Sequence, residues 1–238
     1  MKRLAFAATA LVILAAVPAY ADIAPDPTPV EPTASMEWEK VEITVGAELA
    51  TVTAEFEIKI GDLDPLKYCR ALPTGGSECS KPYYAFRISW PLLDTQVNMI
   101  DDFEVTMDGK PANAYPDVIH EEARLTPPIS KWIPIDSVEG WARKPSKVRV
   151  RVSYKERITL EGDTAKFTYV LRSGSLWKGS IGKADITVTP EAGVVLEGVS
   201  PPPASNKKGV LTWSFKKLEP DKDLQMTIRT KPVDPTKP

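Results

Sequence analysis

Histidine is nearly absent from this chain: His120 is the only one in 238 residues. That excludes histidine-rich metal centres and leaves any serine-histidine arrangement a single candidate base. His120-Glu121-Glu122-Ala123-Arg124 comes close to the zinc-protease pattern, but Arg124 stands where the second metal-binding histidine is needed. No nucleophile elbow occurs. Cysteine is scarce too. Cys69 and Cys79 are the only two, and their spacing is not that of a Cys-x-x-Cys redox or metal pair. Cationic excess is lacking: the net charge is −2, and −4 once Lys2 and Arg3 are removed. That argues against general nucleic-acid binding. No long segment carries a helical period, and beyond the first residues no stretch is apolar enough to span a bilayer. The sequence thus offers no catalytic residue, no metal site and no cofactor site.

What is present begins with an export signal. Lys2 and Arg3 precede an apolar run from Leu4 to Val17, and Ala19-Tyr20-Ala21 supplies small residues for cleavage. Residues 1–21 are read as a signal peptide, and Asp22 as the mature N-terminus. Prolines 25, 27, 29 and 32 mark 22–35 as an extended, disordered linker. The expected address is the periplasm of a Gram-negative bacterium, with secretion or the cell surface as alternatives. In an oxidising compartment Cys69 and Cys79 are expected to form one disulfide across the turn at Pro73, Gly75 and Gly76.

The body of the chain alternates with a period of two. Val41, Ile43 and Val45 oppose Lys40, Glu42 and Thr44. Val52, Ala54, Phe56, Ile58 and Ile60 oppose Thr51, Thr53, Glu55, Glu57 and Lys59. Tyr84, Phe86, Ile88 and Trp90 share a face, as do Phe103, Val105 and Met107 before the Asp108-Gly109 hairpin signal. Further strands are expected at 147–158, 184–189, 194–199, 210–216 and 224–230. The pattern predicts an all-β, antiparallel protein with little or no helix, built as two β-sandwich-like halves or one large two-sheet sandwich. The halves are placed at 36–125 and 147–231. A proline-rich connection covers 126–146, and 232–238 is a loose tail.

Phe167, Tyr169 and Leu171 alternate into a turn carrying Gly174, Gly179 and Gly182 around Trp177. Glycine permits tight bends and close backbone approach, so Trp177 is predicted to fold back as a core plug.

Four phrases together resemble a bacterial exported all-β family of unknown function. They are Glu37-Trp38-Glu39-Lys40-Val41-Glu42-Ile43-Thr44-Val45, Ser89-Trp90-Pro91-Leu92-Leu93 leading to Phe103-Glu104-Val105-Thr106-Met107-Asp108-Gly109-Lys110-Pro111, Tyr169-x-Leu171-x-Ser173-Gly174-x-x-Trp177-x-Gly179-x-Ile181-Gly182, and Leu218-Glu219-Pro220-x-x-Asp223-Leu224. The resemblance implies fold and export, and no activity.

The sharpest functional feature is a basic strand face: Lys147, Arg149, Arg151, Lys155 and Arg157 all point one way. Two readings stay open. Acidic neighbours such as Glu55, Glu57 or Asp185 could pair with them across the sheet, or an anionic envelope component or another envelope protein could bind there. Trp38, Trp90, Trp177 and Trp213 sit in or beside strands and are expected in the core. Trp132 and Trp141 lie in the proline-rich middle and are candidates for exposed binding. Asp62-Leu63-Asp64 and Asp101-Asp102 are acidic turn pairs of the kind calcium takes, but turns are acidic for plainer reasons, and no metal site is assigned. The sequence reads as a non-catalytic envelope module, structural or partner-binding. An envelope glycan-binding module or hydrolase is the alternative.

Overall fold

The computed structural model describes residues 23–25, 34–60, 69–71, 77–79, 85–90, 100–116, 129–134, 146–171, 177–219, 221 and 223–230. Every regular element among them is a strand. In chain order they are β1 Ile23–Pro25, β2 Ala34–Val45, β3 Leu49–Ile60, β4 Cys69–Ala71, β5 Ser77–Cys79 and β6 Ala85–Trp90. Then come β7 Ile100–Met107, β8 Lys110–Pro111, β9 Tyr115–Pro116, β10 Ile129–Pro134, β11 Ser146–Arg157 and β12 Thr164–Tyr169. The last are β13 Ile181–Pro190, β14 Val194–Ser200, β15 Ser205–Lys207, β16 Val210–Leu218 and β17 Leu224–Thr230. The all-β class follows from the two-residue period, which places one set of side chains on each face.

The organising element is an eight-stranded sheet in the order β15-β16-β13-β2-β3-β11-β7-β8. Its centre is β2-β3-β11, three strands of twelve residues each. Strands from both sides of the 126–146 stretch are neighbours in this one sheet. β11 pairs with β3 and β7, and β13 pairs with β2. The two expected halves therefore share one large sheet, and the described residues also form a four-stranded sheet, β1-β6-β10-β9, and the pair β4-β5. One pair departs from the antiparallel expectation: β13 runs parallel to β2, from Lys183↔Trp38 to Pro190↔Val45. Parallel neighbours need a long crossover, and the whole middle of the chain lies between these two.

A three-stranded sheet, β12-β17-β14, supplies the second layer. Val41, Ile43, Val52, Phe56, Val150, Val152 and Ile186 of the large sheet join Phe167, Tyr169, Met226 and Ile228 of the small one in a single apolar core. Burying each such side chain is worth about 1.5–3 kcal/mol, and that drives the layers together.

Three local features orient side chains on the large sheet. First, Asp108 and Gly109 have φ of 50° and 77°, as a tight primed hairpin turn requires, and join β7 to β8. The return arm is the two residues Lys110–Pro111. Second, β2 carries a bulge: the register with β3 shifts between Met36 and Trp38. Third, a Cβ on Gly182 would lie 2.4 Å from the carbonyl oxygen of Glu37, the bulged residue. The glycine-rich turn is indeed pressed against something, and that something is the backbone of β2.

Two parts of the expected layout look different in place. Ile23–Pro25, inside the stretch read as linker, pair antiparallel with β6, and Ala34 and Ser35 already belong to β2. Short backbone segments can pair despite prolines when they lie at a sheet edge, and β1 is an edge strand. Cys69 and Cys79 are register partners in the β4-β5 pair. Residues so opposed sit about 4.5–5.5 Å apart between Cα atoms, within the span of a disulfide. His120, Trp141, Gly174, Asp62 and Asp64 lie outside the described residues. Trp132 lies on β10, opposite Arg87 and Tyr115 in backbone register.

Candidate functional site

The alternation of β11 divides its side chains cleanly. Val148, Val150, Val152 and Tyr154 enter the core. The five cations stand on the outer face, with side chains 44–63% exposed. The structure brings all five to one surface, and each has an acid beside it. Lys147 Nζ donates to Glu57 Oε1 at 2.7 Å, and Glu37 stands 3.9 Å away. Arg149 donates to the other Glu57 oxygen at 3.4 Å. Arg151 lies 3.5 Å from Glu55. At the far end Lys155 meets Asp102 at 2.7 Å and Arg157 meets Asp101 at 2.9 Å. Asp101 and Asp102, weighed as calcium ligands, are thus partners of cations.

Register explains the pairing. Arg149 is directly opposite Glu57, and Arg151 opposite Glu55, on β3. Opposite charges facing across strands attract. Lys147, donating to Glu57 first among several causes, holds that carboxyl below its usual range. Asp185 is also held low, by Lys183 and then by the Ser214 hydroxyl, which donates to it at 2.6 Å. Asp185 therefore serves β13 and β16 and takes no cation of β11. One row crosses five strands as Ser214, Asp185, Lys40, Glu55 and Arg151. The outer face is therefore patterned with alternating sign.

Trp38 belongs to this face. The bulge of β2 turns it outward, half-buried, where core placement was expected. The Arg149 guanidinium lies 5.5 Å from its ring centre, within cation–π range. Beside it is a hollow of about 510 Å³, lined by Glu57, Asp108, Gly109, Lys147, Val148 and Arg149. The hairpin turn closes one side: Asp108 Oδ1 accepts the Arg149 N–H at 2.9 Å, and the Asp108 N–H donates to the Arg149 carbonyl at 2.8 Å. The hollow can offer a guest two cations and two carboxylates, and the Trp38 ring lies beside one of those cations, Arg149.

The glycine-rich turn places its residues elsewhere. Trp177 is 3% exposed and lies in the core, and the Lys178 N–H donates to the Ala34 carbonyl at 2.8 Å. Gly179 has φ of 78° with open space around it, whereas Gly182 makes the close approach to Glu37. Trp213 is also buried, and its indole N–H donates to the Pro201 carbonyl at 3.0 Å.

Two residues escape a reading of the sequence alone. Glu39 is 1% exposed, and burial pushes its carboxyl up to about 7 against the opposing hydrogen bond from Tyr169. Glu156 is half-buried at the end of β11, and burial raises it to about 7 as well. A signal for both exists in the alternation: Glu39 is in phase with Val41 and Ile43, and Glu156 with Val152 and Tyr154.

No protein-family model matches the chain, and no curated protein matches it. Among solved structures, one described as a "putative nutrient binding protein" from Legionella pneumophila is 15% identical, with a TM-score of 0.59. The alignment covers 89% of this chain and 71% of that one. At this identity the likeness is one of fold. A yeast LTA4 hydrolase in complex with bestatin aligns with a TM-score of 0.40 and 9% identity, over 84% of this chain and 29% of the other. That is too slight a similarity to carry an argument.

Proposed function

We propose that this chain is a non-catalytic, exported β-sandwich module. In this reading it engages another envelope protein through the outer face of its eight-stranded sheet. The observation that carries the reading is the Arg149–Trp38–Lys147 corner with its hollow, set in a face of alternating charge. Such a pattern complements a second patterned surface better than a uniformly anionic one, because every cation here already has an acid beside it. Aromatic and arginine side chains are also the residue types that anchor protein interfaces. The Arg149 guanidinium over Trp38 leaves less of that ring for a sugar to stack on, which sets the glycan-binding alternative second.

The test places a photo-crosslinking residue at Trp38 in the producing cell. A discrete adduct is expected, and it should be lost with Arg149→Glu but kept with Arg229→Glu on the other sheet. Absence of any adduct, or retention on acidic-lipid vesicles in its place, would overturn the protein-partner reading. Export is checked on the same material. The mass should place Asp22 first, and no thiol should react before reduction, as a Cys69–Cys79 bond requires.

A further inference from the structure

The apolar layer between the two sheets holds two buried carboxyls, Glu39 and Asp223, and at Glu39 the sheets meet through a polar contact. Glu39 on β2 accepts the Tyr169 hydroxyl of β12 at 3.0 Å through Oε1. Its other oxygen, Oε2, is buried with no hydrogen-bond partner. The backbone is shaped to put the carboxyl there. Upstream of the bulge Ala34 and Met36 face inward; downstream Glu39, Val41, Ile43 and Val45 do. One extra residue reverses the parity of the strand, and Gly182 leaves room for the Glu37 carbonyl that this displaces.

Glu39 has little around it to hold a charge. In its own sheet it is flanked by Phe56 of β3 and Ala184 of β13. The charged neighbours on those strands, Glu55, Glu57, Lys183 and Asp185, belong to the opposite face. From the other layer, the inward titratable groups are Tyr169 and Asp223. Asp223 stands next to Leu224, the register partner of Tyr169, and its Oδ1 accepts the Leu171 N–H at 3.2 Å. Lys166 of β12 is exposed and Arg229 of β17 pairs outward with Asp163 and Glu197. No cation among the described residues pairs with Glu39.

We propose that Glu39 and Tyr169 form a proton-dependent latch between the two sheets, closed while Glu39 is neutral and loosened when it ionises. A charge in a dry layer with one hydrogen bond is costly. Burial raises the carboxyl from 4.5 to about 7, so the latch works near neutrality. The sign follows from proton counting. Between those two values the folded protein keeps a proton that the unfolded chain has lost. Stability therefore falls as pH rises through this window, by up to about tenfold in the folding constant per pH unit. Below it both states are protonated and the term vanishes.

Glu156 is raised to about 7 as well and adds a slope of the same sign, so global melting alone does not isolate the latch. Local amide exchange does. The Lys178 amide ties the glycine-rich turn to Ala34, and the Leu171 amide is held by Asp223. After correction for intrinsic rates, their protection in the wild type is expected to fall at least about tenfold between pH 5.5 and 8. In Glu39→Gln, which keeps the shape without the charge, it should stay level. Tyr169→Phe removes the bond that favours the ionised form, so the midpoint should move to higher pH. Flat protection in the wild type, or an unchanged slope in Glu39→Gln, would overturn the latch. An unmoved midpoint in Tyr169→Phe would overturn the part assigned to that hydroxyl.

Discussion

Glu57 and Glu39 are the same residue type on adjacent strands, and their surroundings could hardly differ more. Glu57 faces out, takes hydrogen bonds from Lys147 and Arg149, and is held below the usual carboxylate range. Glu39 faces in, has one hydroxyl for company, and is pushed up to about 7. What separates them is which face of the sheet each occupies. The outer face stays in water and balances its charges in pairs, each worth little. The inner face is dry, so the Glu39 carboxyl, with no cation beside it, is better off neutral. Side-chain direction alternates residue by residue, and the β2 bulge decides which of Trp38 and Glu39 goes where.

The largest expected effect lies on the inner face. Trp177 is 3% exposed against the core of both sheets. Trp177→Ala should cost about 3–5 kcal/mol and lower the melting temperature sharply in a thermal melt. A melting curve like that of the wild type would mean that the indole does not plug the core. It would move the functional site to this turn. Next comes the bulge. Gly182→Ala puts a Cβ where the Glu37 carbonyl oxygen lies 2.4 Å away. Both clashing partners are backbone, so β2 or β13 has to shift, at about 1–3 kcal/mol. The shift should also disturb the parity that separates Trp38 from Glu39. Chemical shifts or exchange at 36–40 should therefore change more than at 50–60; equal change in both stretches would break the link between Gly182 and the bulge.

Strands 2, 3, 11, 13, 16 and 17 are legible in the sequence because their alternation is long and regular. The Asp108-Gly109 turn is legible because a primed turn needs positive φ at both positions. Pairing is not: nothing in β13 announces a parallel partner some 140 residues upstream, since register is set by contacts between distant segments. The bulge stays hidden because a uniform period of two from Glu37 to Val45 conceals a one-residue slip. Trp38 is expected in the core because aromatic side chains in strands usually go there, although its phase with Lys40 and Glu42 points outward, just as the phase of Glu39 with Val41 and Ile43 points inward. On the outer face, the candidate acids Glu55 and Glu57 can be named from sequence because they alternate on one strand. Which cation each takes, and that Asp185 takes none of β11, needs the register.

The smallest effect on stability, and the sharpest on the outer face, is expected from Glu57→Gln. It removes the carboxylate shared by Lys147 and Arg149, leaving Lys147 with Glu37 at 3.9 Å and Arg149 with the Trp38 ring. Glu57 is partly covered, but both cations are more than half exposed, where water and salt screen an ion pair. The melting temperature should therefore stay close to that of the wild type. Binding is another matter. Two cations beside the hollow lose their compensating charge, so retention on acidic-lipid vesicles should rise above the wild type at low salt and fade as salt is added. Glu39→Gln, buried beneath the same sheet, should leave vesicle retention untouched while changing the response to pH. If Glu57→Gln instead melts as early as Trp177→Ala, the outer face is holding the fold together and is no free docking surface. If it gains no retention even at low salt, Glu57 does not neutralise this corner in solution, and the division of labour between the two faces is wrong.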